Sequence, residues 1–266
     1  DIMSDTEELD DKKMSILEHI AELRSRLIYS FAFFIFIFFI SIINFKFINF
    51  DTSISAQIYI FLQQPLAELI NERGGRMIFT ALHEGFFTQI KVAFYLALFI
   101  SLPLILIQIW KYISPGLYKN EKNIFLPFML ATPFLFLLSF IMVYYVVMPI
   151  AWNFFLSFEL PSNGSGLPIE VEPRISEYLS LVMRLILAFG ICFQLPILIL
   201  LLVRIGIIDV KWLTSKRKYC ILFSFVIAAI LTPPDVISQF LLALPLILLY
   251  EISIILAIFM KKKNKN

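Results

Sequence analysis

The chain has 266 residues, of which 60% are hydrophobic and only 16% are charged. Soluble domains contain roughly 45–50% apolar and about 25% charged residues. The composition, with its 29 phenylalanines, therefore excludes a soluble globular fold, and a formal net charge of +2 gives no reason to expect nucleic acid as a partner. We predict an all-α, polytopic membrane protein in which the lipid bilayer is the solvent.

Apolar runs mark the predicted transmembrane helices. A helix rises about 1.5 Å per residue, so about 20 residues cross roughly 30 Å of hydrocarbon. Six runs, one of them short, predict six helices, TM1 to TM6. The predicted single membrane domain, 1–266, comprises a cytoplasmic amphipathic amino terminus (1–26), TM1 (27–45), an outer cap (46–91), TM2 (92–110), a cytoplasmic loop (111–123), TM3 (124–150), an outer loop (151–184), TM4 (185–203), a cytoplasmic loop (204–218), TM5 (219–231), TM6 (236–260) and a basic tail (261–266).

Two of these runs have unusual lengths. TM5, with 13 uncharged residues, reaches only about 20 Å. The third run, Ile124–Phe158, is longer than a span needs, and its prolines should bend or end the helix. Prolines interrupt four of the six spans: Pro103, Pro127, Pro133, Pro149, Pro196 and Pro245. Kinked helices beside a short fifth one predict a concave, locally thinned bundle.

The basic residues predict the orientation, because cytoplasmic loops are enriched in lysine and arginine. Of the 22 basic residues, 16 fall on one side of the six predicted spans. They are Lys12, Lys13, Arg24, Arg26, Lys111, Lys119, Lys122, Arg204, Lys211, Lys216, Arg217, Lys218, Lys261, Lys262, Lys263 and Lys265. Both termini are therefore predicted to be cytoplasmic.

The opposite side of the membrane carries two longer segments and one tight turn. Residues Ile58–Ile70 have helical apolar spacing and precede Gly74-Gly75, which predicts an outer cap of short helices. Pro161–Pro173 is a loop rich in proline, glycine and serine. The turn Thr232–Asp235 is so short that TM5 and TM6 must form a hairpin. We find no internal repeat of the kind seen in inverted-repeat transporters.

The sequence lacks the residue motifs that enzyme chemistry would require. There is no glycine-rich nucleotide loop, and neither His19 nor His83 has a partner at metal-ligand spacing. Cys192 and Cys220 lie in or beside apolar stretches, so we predict no structural disulfide. The polar, acidic segment Asp1–Lys13 predicts no cleavable signal peptide. We expect no enzyme activity, no cofactor and no metal.

The amino terminus contains the most informative pattern. Ser15 and Glu18 match a capping box that begins a helix leading into TM1. Glu18, Glu22 and Arg26 follow one another at four-residue spacing on a face beside an apolar stripe. On these residues alone, the segment is an amphipathic entry helix with ordinary salt bridges.

Three further segments, combined with this one, give a resemblance to a known family. The run His19–Leu27 reads H-x-x-E-L-R-x-R-L, and the other segments are Trp110–Glu121, Phe189–Pro196 and Leu231–Gln239. In this order these four segments resemble the TatC family, the multispanning receptor of the twin-arginine protein translocase. The resemblance covers essentially the whole chain.

The resemblance implies a function, partners and a location. The family recognises folded cargo by a signal peptide with two adjacent arginines and moves it with the proton-motive force. The expected partners are single-span subunits of the TatA and TatB types, twin-arginine signal peptides, the lipid bilayer and further copies of the chain. The expected location is the bacterial cytoplasmic (inner) membrane, with an organellar membrane as the alternative.

The resemblance also implies a signal-peptide site. The two cytoplasmic acids that bind the arginine pair in the family correspond to Glu22 and Glu121, and Arg24 and Tyr112 are the other expected site residues. A guanidinium pairs bidentately with a carboxylate, which a lysine cannot reproduce. Two carboxylates on one face would therefore select an arginine pair. Without the resemblance, Glu121 would be interpreted as a loop residue whose negative charge balances the positive charges of Lys119 and Lys122.

Other residues of the family pattern have structural or open roles. Those expected at turns, in the loops and in the outer cap are Pro65, Pro115, Pro233, Pro234 and Asp235. Asp235 is better explained as a cap of TM6 than as a ligand-binding residue. Glu251 is either a functional acid inside the membrane or one that snorkels to the surface or has a neighbouring partner.

Gln194 is the one position where the chain departs from many relatives, which have glutamate there. An amide still donates and accepts hydrogen bonds but cannot carry a charge. Two interpretations stay open. Pro196 frees the carbonyl of Cys192, so Gln194 could be satisfied locally in a kinked helix. Alternatively, Gln194 faces the concavity and bonds a TatA-like partner helix.

Two alternative functions follow from different protein classes. A small-solute transporter predicts polar residues that converge at the bilayer midplane. The candidates lie mostly toward the ends of the spans: Gln108, Arg184, Gln194, Gln239 and Glu251. A membrane subunit of a respiratory complex predicts paired histidines for haem or a chain of buried lysines and glutamates, and neither pattern is present.

Overall fold

The computed structural model describes residues 16–43, 53–113, 122–159, 171–231 and 236–263. These residues form helices, with one isolated bridge between Ile78 and Arg174. The helices are α1 (Ile16–Ile42), α2 (Ile54–Glu72), α3 (Glu84–Ile113), α4 (Lys122–Met142), α5 (Met148–Leu156), α6 (Ile175–Cys192), α7 (Leu195–Arg204), α8 (Val210–Ser215), α9 (Arg217–Leu231) and α10 (Val236–Lys263). The prediction of an all-α protein is confirmed.

Five helical segments in the described part of the chain are long and apolar enough to cross a membrane. They are Ile20–Ile42, Glu84–Ile109, Pro127–Leu156, Ile175–Arg204 and Gln239–Lys261. Helix α9 has 15 residues and therefore a length of only about 22 Å. The chain is thus a multi-pass membrane protein, and the assignment of α9 as a further span stays a prediction.

Helix α6 lies at the centre of the bundle. Leu179, Val182 and Phe189 on its inner face are at most 1% exposed. The helix contacts α2, α3 and α4, and α10 packs against α7 and α9. Helix α1 lies at the periphery, where it packs mainly on α3 through contacts such as the edge-on rings of Phe34 and Phe94.

The prolines interrupt the helices in different ways. Pro127 and Pro133 lie inside α4, but the chain widens into a π-turn at Val143–Val147 immediately before Pro149. Proline has no N–H to donate and its ring crowds the carbonyl four residues earlier, and a wider turn relieves that crowding. Pro196 likewise follows a break between α6 and α7 at Phe193 and Gln194.

The segment predicted as the outer cap contains one long helix, α2, which is fixed to the bundle by its apolar face. Leu62, Leu66 and Ile70 are buried in the main core. Pro65 lies inside this helix and cannot bond the carbonyl of Phe61, four residues earlier. The hydroxyl of Tyr144 donates to that carbonyl at 2.9 Å. Pro65 therefore creates an acceptor that ties the cap to the bundle.

Candidate functional site: an oriented carboxylate at the end of helices α1 and α3

Glu22 and Arg26 form the centre of the candidate site. They lie one turn apart on α1, which is the spacing that brings two side chains of a helix together. Both Nε and Nη2 of Arg26 donate to the same oxygen of Glu22, Oε1, at 2.9 and 2.5 Å. The ion pair expected from the sequence is therefore present, and it uses only one of the two carboxylate oxygens.

Gln108 of α3 completes this arrangement. Nη1 of Arg26 donates to Oε1 of Gln108 at 2.9 Å, so the guanidinium joins α1 to α3 across 82 positions of sequence. Tyr112 is half-buried one turn further along α3. The contact of α1 with α3 thus brings Glu22 and Tyr112 to the same end of the bundle, whereas Arg24 is exposed on another face of α1.

The second oxygen of Glu22 is the unusual feature of the site. The side chain is only 22% exposed, and Oε2 is buried without a hydrogen-bond donor among the residues that the structure describes. A buried carboxylate oxygen without a donor costs free energy, so such atoms in native structures are usually matched by a donor. A guanidinium would be the best-fitting additional donor to this oxygen, once the side chains that cover it move aside.

Several residues that the sequence singles out lie outside the described parts of the chain. They are Glu121, Pro115, Pro233, Pro234 and Asp235, together with Ser15 and the side chains of Glu18 and His19. Their expected roles stay predictions. Among the described residues, no group of three or more histidine, cysteine, aspartate or glutamate side chains is arranged to hold a metal ion.

Gln194 is buried between α4 and α6. It is 6% exposed, and its Nε2 donates to the carbonyls of Thr132 and Gly190 at 3.3 and 3.5 Å. The local acceptor is thus the carbonyl of Gly190 and not that of Cys192. Its Oε1 is buried without a donor among the described residues. These contacts favour the local packing role over the exposed role.

Glu251 has a cationic partner. Its Oε2 accepts from Nη2 of Arg217 at 2.8 Å, which joins the beginning of α9 to α10. The glutamate side chain is 37% exposed. This ion pair favours the interpretation with a neighbouring partner over an isolated acid inside the membrane.

A second ion pair orders the turn before α8. Asp209 accepts from Nζ of Lys261 at 2.6 Å and from the backbone N–H of Val210 at 2.8 Å. The bond from Lys261 and the bond from this amide hold the pKa of Asp209 below its usual value. Because the pair is exposed to solvent, it contributes little to stability, although it joins the turn before α8 to the end of α10.

Sequence reasoning missed Gln108 as part of this site. The four-residue spacing identifies Glu22 and Arg26 because both lie on one helix. Gln108 has no comparable signal, because its role depends on which helix packs against α1. An uncharged amide near the end of an apolar run is the only hint in the sequence.

Comparisons with known proteins agree with this architecture. Residues 18–245 match the family described as Sec-independent protein translocase protein (TatC). A protein of that name from Rickettsia prowazekii (strain Madrid E) is 46% identical over 250 residues, or 94% of this chain and 95% of the relative. The protein of that name from Escherichia coli (strain K12) is 35% identical over 94% of this chain and 91% of its own length.

A solved structure gives the same result. The crystal structure described as twin arginine translocase receptor TatC matches with a TM-score of 0.75 at 35% sequence identity. The match covers 91% of this chain and 99% of that chain. Both the family match and the relatives extend over nearly all of the described helices. The chain therefore belongs to the TatC family of Sec-independent protein translocase proteins.

Proposed function

We propose that this chain is the core receptor of a twin-arginine protein translocase and binds the signal peptides of folded cargo through their two adjacent arginines. The observation that carries this proposal is the Glu22 carboxylate, which Arg26 orients and whose buried Oε2 has no donor among the residues that the structure describes. The names of the relatives support a translocase component over a small-solute transporter. Members of this family are translocase components and not enzymes, so we propose the proton-motive force as the energy source.

The proposed recognition uses two carboxylates. The first arginine of the peptide would pair with Oε2 of Glu22, and the second with Glu121. Tyr112 would line the site from the end of α3, and Arg24 would contact polar groups of the peptide from the exposed face of α1. A guanidinium offers several donors in a fixed plane, which a lysine ammonium cannot reproduce, so two carboxylates side by side would favour a pair of arginines.

A direct binding experiment tests this function. The purified full chain should be retained by an immobilised peptide that carries two adjacent arginines. A peptide with two lysines in their place should retain much less protein, because lysine cannot form the forked contact. Equal retention by both peptides would contradict receptor function.

We further propose six transmembrane helices with both termini in the cytoplasm. Five segments are long enough by themselves, and α9 would be the sixth. Support comes from its packing along α10 and from the bond of Nε2 of Gln239 to the carbonyl of Phe225 at 3.0 Å. A span of about 22 Å requires a thinner bilayer beside α9.

Cysteine labelling checks this topology. In a chain with Cys192 and Cys220 replaced by alanine, single cysteines at Ser4, Lys119, Lys216 and Asn264 should react only from the cytoplasmic side. A cysteine at Ser165 should react only from the other side. Labelling of position 216 from outside would contradict a six-span arrangement.

The proposed partners are single-span subunits of the TatA and TatB types and other copies of this chain. We place the assembly in the bacterial cytoplasmic membrane, with an organellar membrane as the alternative. Support for a membrane partner comes from the outer faces of α9 and α10, where large apolar residues such as Phe223, Ile230 and Phe240 are more than half exposed. In a bilayer these faces are open to lipid or to another helix.

The contacts of Gln194 lead to a prediction about export. We expect Gln194→Leu to fold, to bind the peptide normally and to keep export within about threefold of the native chain, because interhelical hydrogen bonds in membranes average about 0.6 kcal/mol. The comparison is made in vesicles with equal amounts of each receptor. Loss of export by a folded, peptide-binding Gln194→Leu variant would instead assign the residue to a contact with a partner helix.

A further inference from the structure

Two exposed cations, one in α3 and one in α6, have no acidic partner among the described residues. Arg184 of α6 is exposed, and its Nε donates only to the carbonyl of Ser180, at 3.0 Å. Lys91 of α3 is also exposed. No ion pair joins either residue to a carboxylate within the described ranges. A cation in an apolar span is costly unless it reaches water or an anion.

The position of Arg184 along its span determines its depth. The segment 185–203 has no charged residue and ends at Arg204, which is 20 positions beyond Arg184. A helix of 20 residues covers about 30 Å, the thickness of the hydrocarbon core. Even with the break at Phe193 and Gln194, an apolar run of this length covers at most about 30 Å, so a hydrocarbon core centred on it would place the guanidinium of Arg184 near the level of the phosphates at the beginning of α6.

An open apolar pocket of about 240 Å³ is lined by Val92 and Met183, the sequence neighbours of Lys91 and Arg184. Helices α2, α3, α4 and α6 all contribute to its wall. Each cation stands one turn before a residue of this wall, Lys91 before Tyr95 on α3 and Arg184 before Leu187 on α6. Side chains one turn apart are neighbours on a helix surface, so both charges flank the same pocket.

We propose that this pocket binds an anionic phospholipid, with its phosphate between Lys91 and Arg184 and one acyl chain inside the pocket. The wall is formed by apolar and aromatic side chains, which suits a hydrocarbon chain. The two unpaired cations suit a phosphate, which accepts forked hydrogen bonds from a guanidinium. The two cations favour a lipid with an anionic headgroup over an uncharged partner helix as the occupant.

The charge of the headgroup gives the site its selectivity. Phosphatidylcholine also has a phosphate, but its choline would bring a positive charge beside two cations. Phosphatidylglycerol has no such group and keeps its net negative charge. The site would thus retain one lipid class at a fixed place beside the cap helix α2, independently of whether the chain recognises signal peptides.

Photocrosslinking tests this site. The full chain is reconstituted into phosphatidylcholine vesicles that contain a small fraction of phosphatidylglycerol with a diazirine in its acyl chain. Crosslinks should map to wall residues such as Tyr95, Leu96 and Leu137. Arg184→Gln should lower their yield about tenfold, the expected effect of losing one charge-assisted contact. The exposed Arg174, which pairs with Glu177 at 3.1 Å near the same end of α6, provides the control Arg174→Gln, whose yield should not change.

Two results would overturn the proposal. One is equal labelling of the wall in the native chain, Arg184→Gln and Arg174→Gln. The other is equal labelling by diazirine phosphatidylcholine and diazirine phosphatidylglycerol, which would mean that the pocket holds bulk lipid. A second variant, Leu187→Trp, should reduce labelling by filling the pocket without removing a charge. The thermal midpoint of each variant shows that it is folded.

Discussion

Glu22→Gln should weaken the binding of a twin-arginine peptide about tenfold or more. The substitution keeps the size of the side chain and its ability to accept a bond from Arg26 but removes the negative charge that the peptide needs. Hydrogen bonds to charged groups contribute about 1.5–3 kcal/mol, and 1.4 kcal/mol corresponds to a factor of ten in affinity. Titration of a labelled peptide against the purified receptor measures the effect, and Glu121→Gln should weaken binding similarly.

Glu159 provides a matched control for this experiment. Its side chain is 22% exposed, as that of Glu22 is, and it pairs with Arg73 at 2.7 Å. Glu159→Gln thus removes one charge from an equivalent ion pair at the other end of the bundle. It should leave peptide affinity unchanged. Equal affinities for the native chain, Glu22→Gln and Glu121→Gln would show that the arginines bind elsewhere.

In the proposed signal-peptide site, Arg26 would not block Glu22. Arg26 donates twice to Oε1 and once to Gln108, which leaves Oε2 for another donor. The guanidinium therefore holds the carboxylate in one orientation before a peptide arrives. A side chain that is already ordered loses less conformational entropy on binding, which improves affinity without an additional contact.

The local part of this site could be predicted from the sequence, and the tertiary part could not. Residues one turn apart on a helix must be neighbours, so the spacing of Glu22 and Arg26 is sufficient to predict their ion pair. The bond of Arg26 to Gln108 depends on the packing of α1 against α3, and no pattern in either helix specifies that packing. The same limit applies to Gln194, whose partner Thr132 lies on α4.

The sequence predicts that a helix is present more accurately than it predicts the residue at which the helix begins. TM2 and TM4 are predicted to begin at 92 and 185, because Lys91 and Arg184 are the last charged residues before the uncharged runs. The corresponding helices begin at Glu84 and Ile175. A charged side chain on an exposed face does not end a helix, and the carboxylate of Glu84 accepts from the backbone N–H of Thr80 at the start of α3. The position of a charge therefore does not predict where a helix begins.

Gly190→Ala should lower the free energy of unfolding by about 1–3 kcal/mol, the usual cost of overpacking a close contact. A methyl group at this position would lie 2.6 and 2.8 Å from two ring carbons of Phe136, Cζ and Cε2. The ring cannot easily move away, because Phe136 is 1% exposed and packs against Phe99 with 4.6 Å between the ring centroids. Membrane helices commonly use small residues where they approach closely, as α4 and α6 do here.

The thermal midpoint of the detergent-purified chain measures this cost, with Gly85→Ala as the matched control. A methyl group at Gly85 would meet Phe79 at 3.5 Å, an ordinary van der Waals distance, so that variant should keep the native midpoint. Combining Gly190→Ala with Phe136→Leu should destabilise less than the sum of the two single changes, because a smaller side chain at 136 makes room for the methyl group. Additive effects, or a native midpoint for Gly190→Ala, would show that α4 and α6 are not in this close contact.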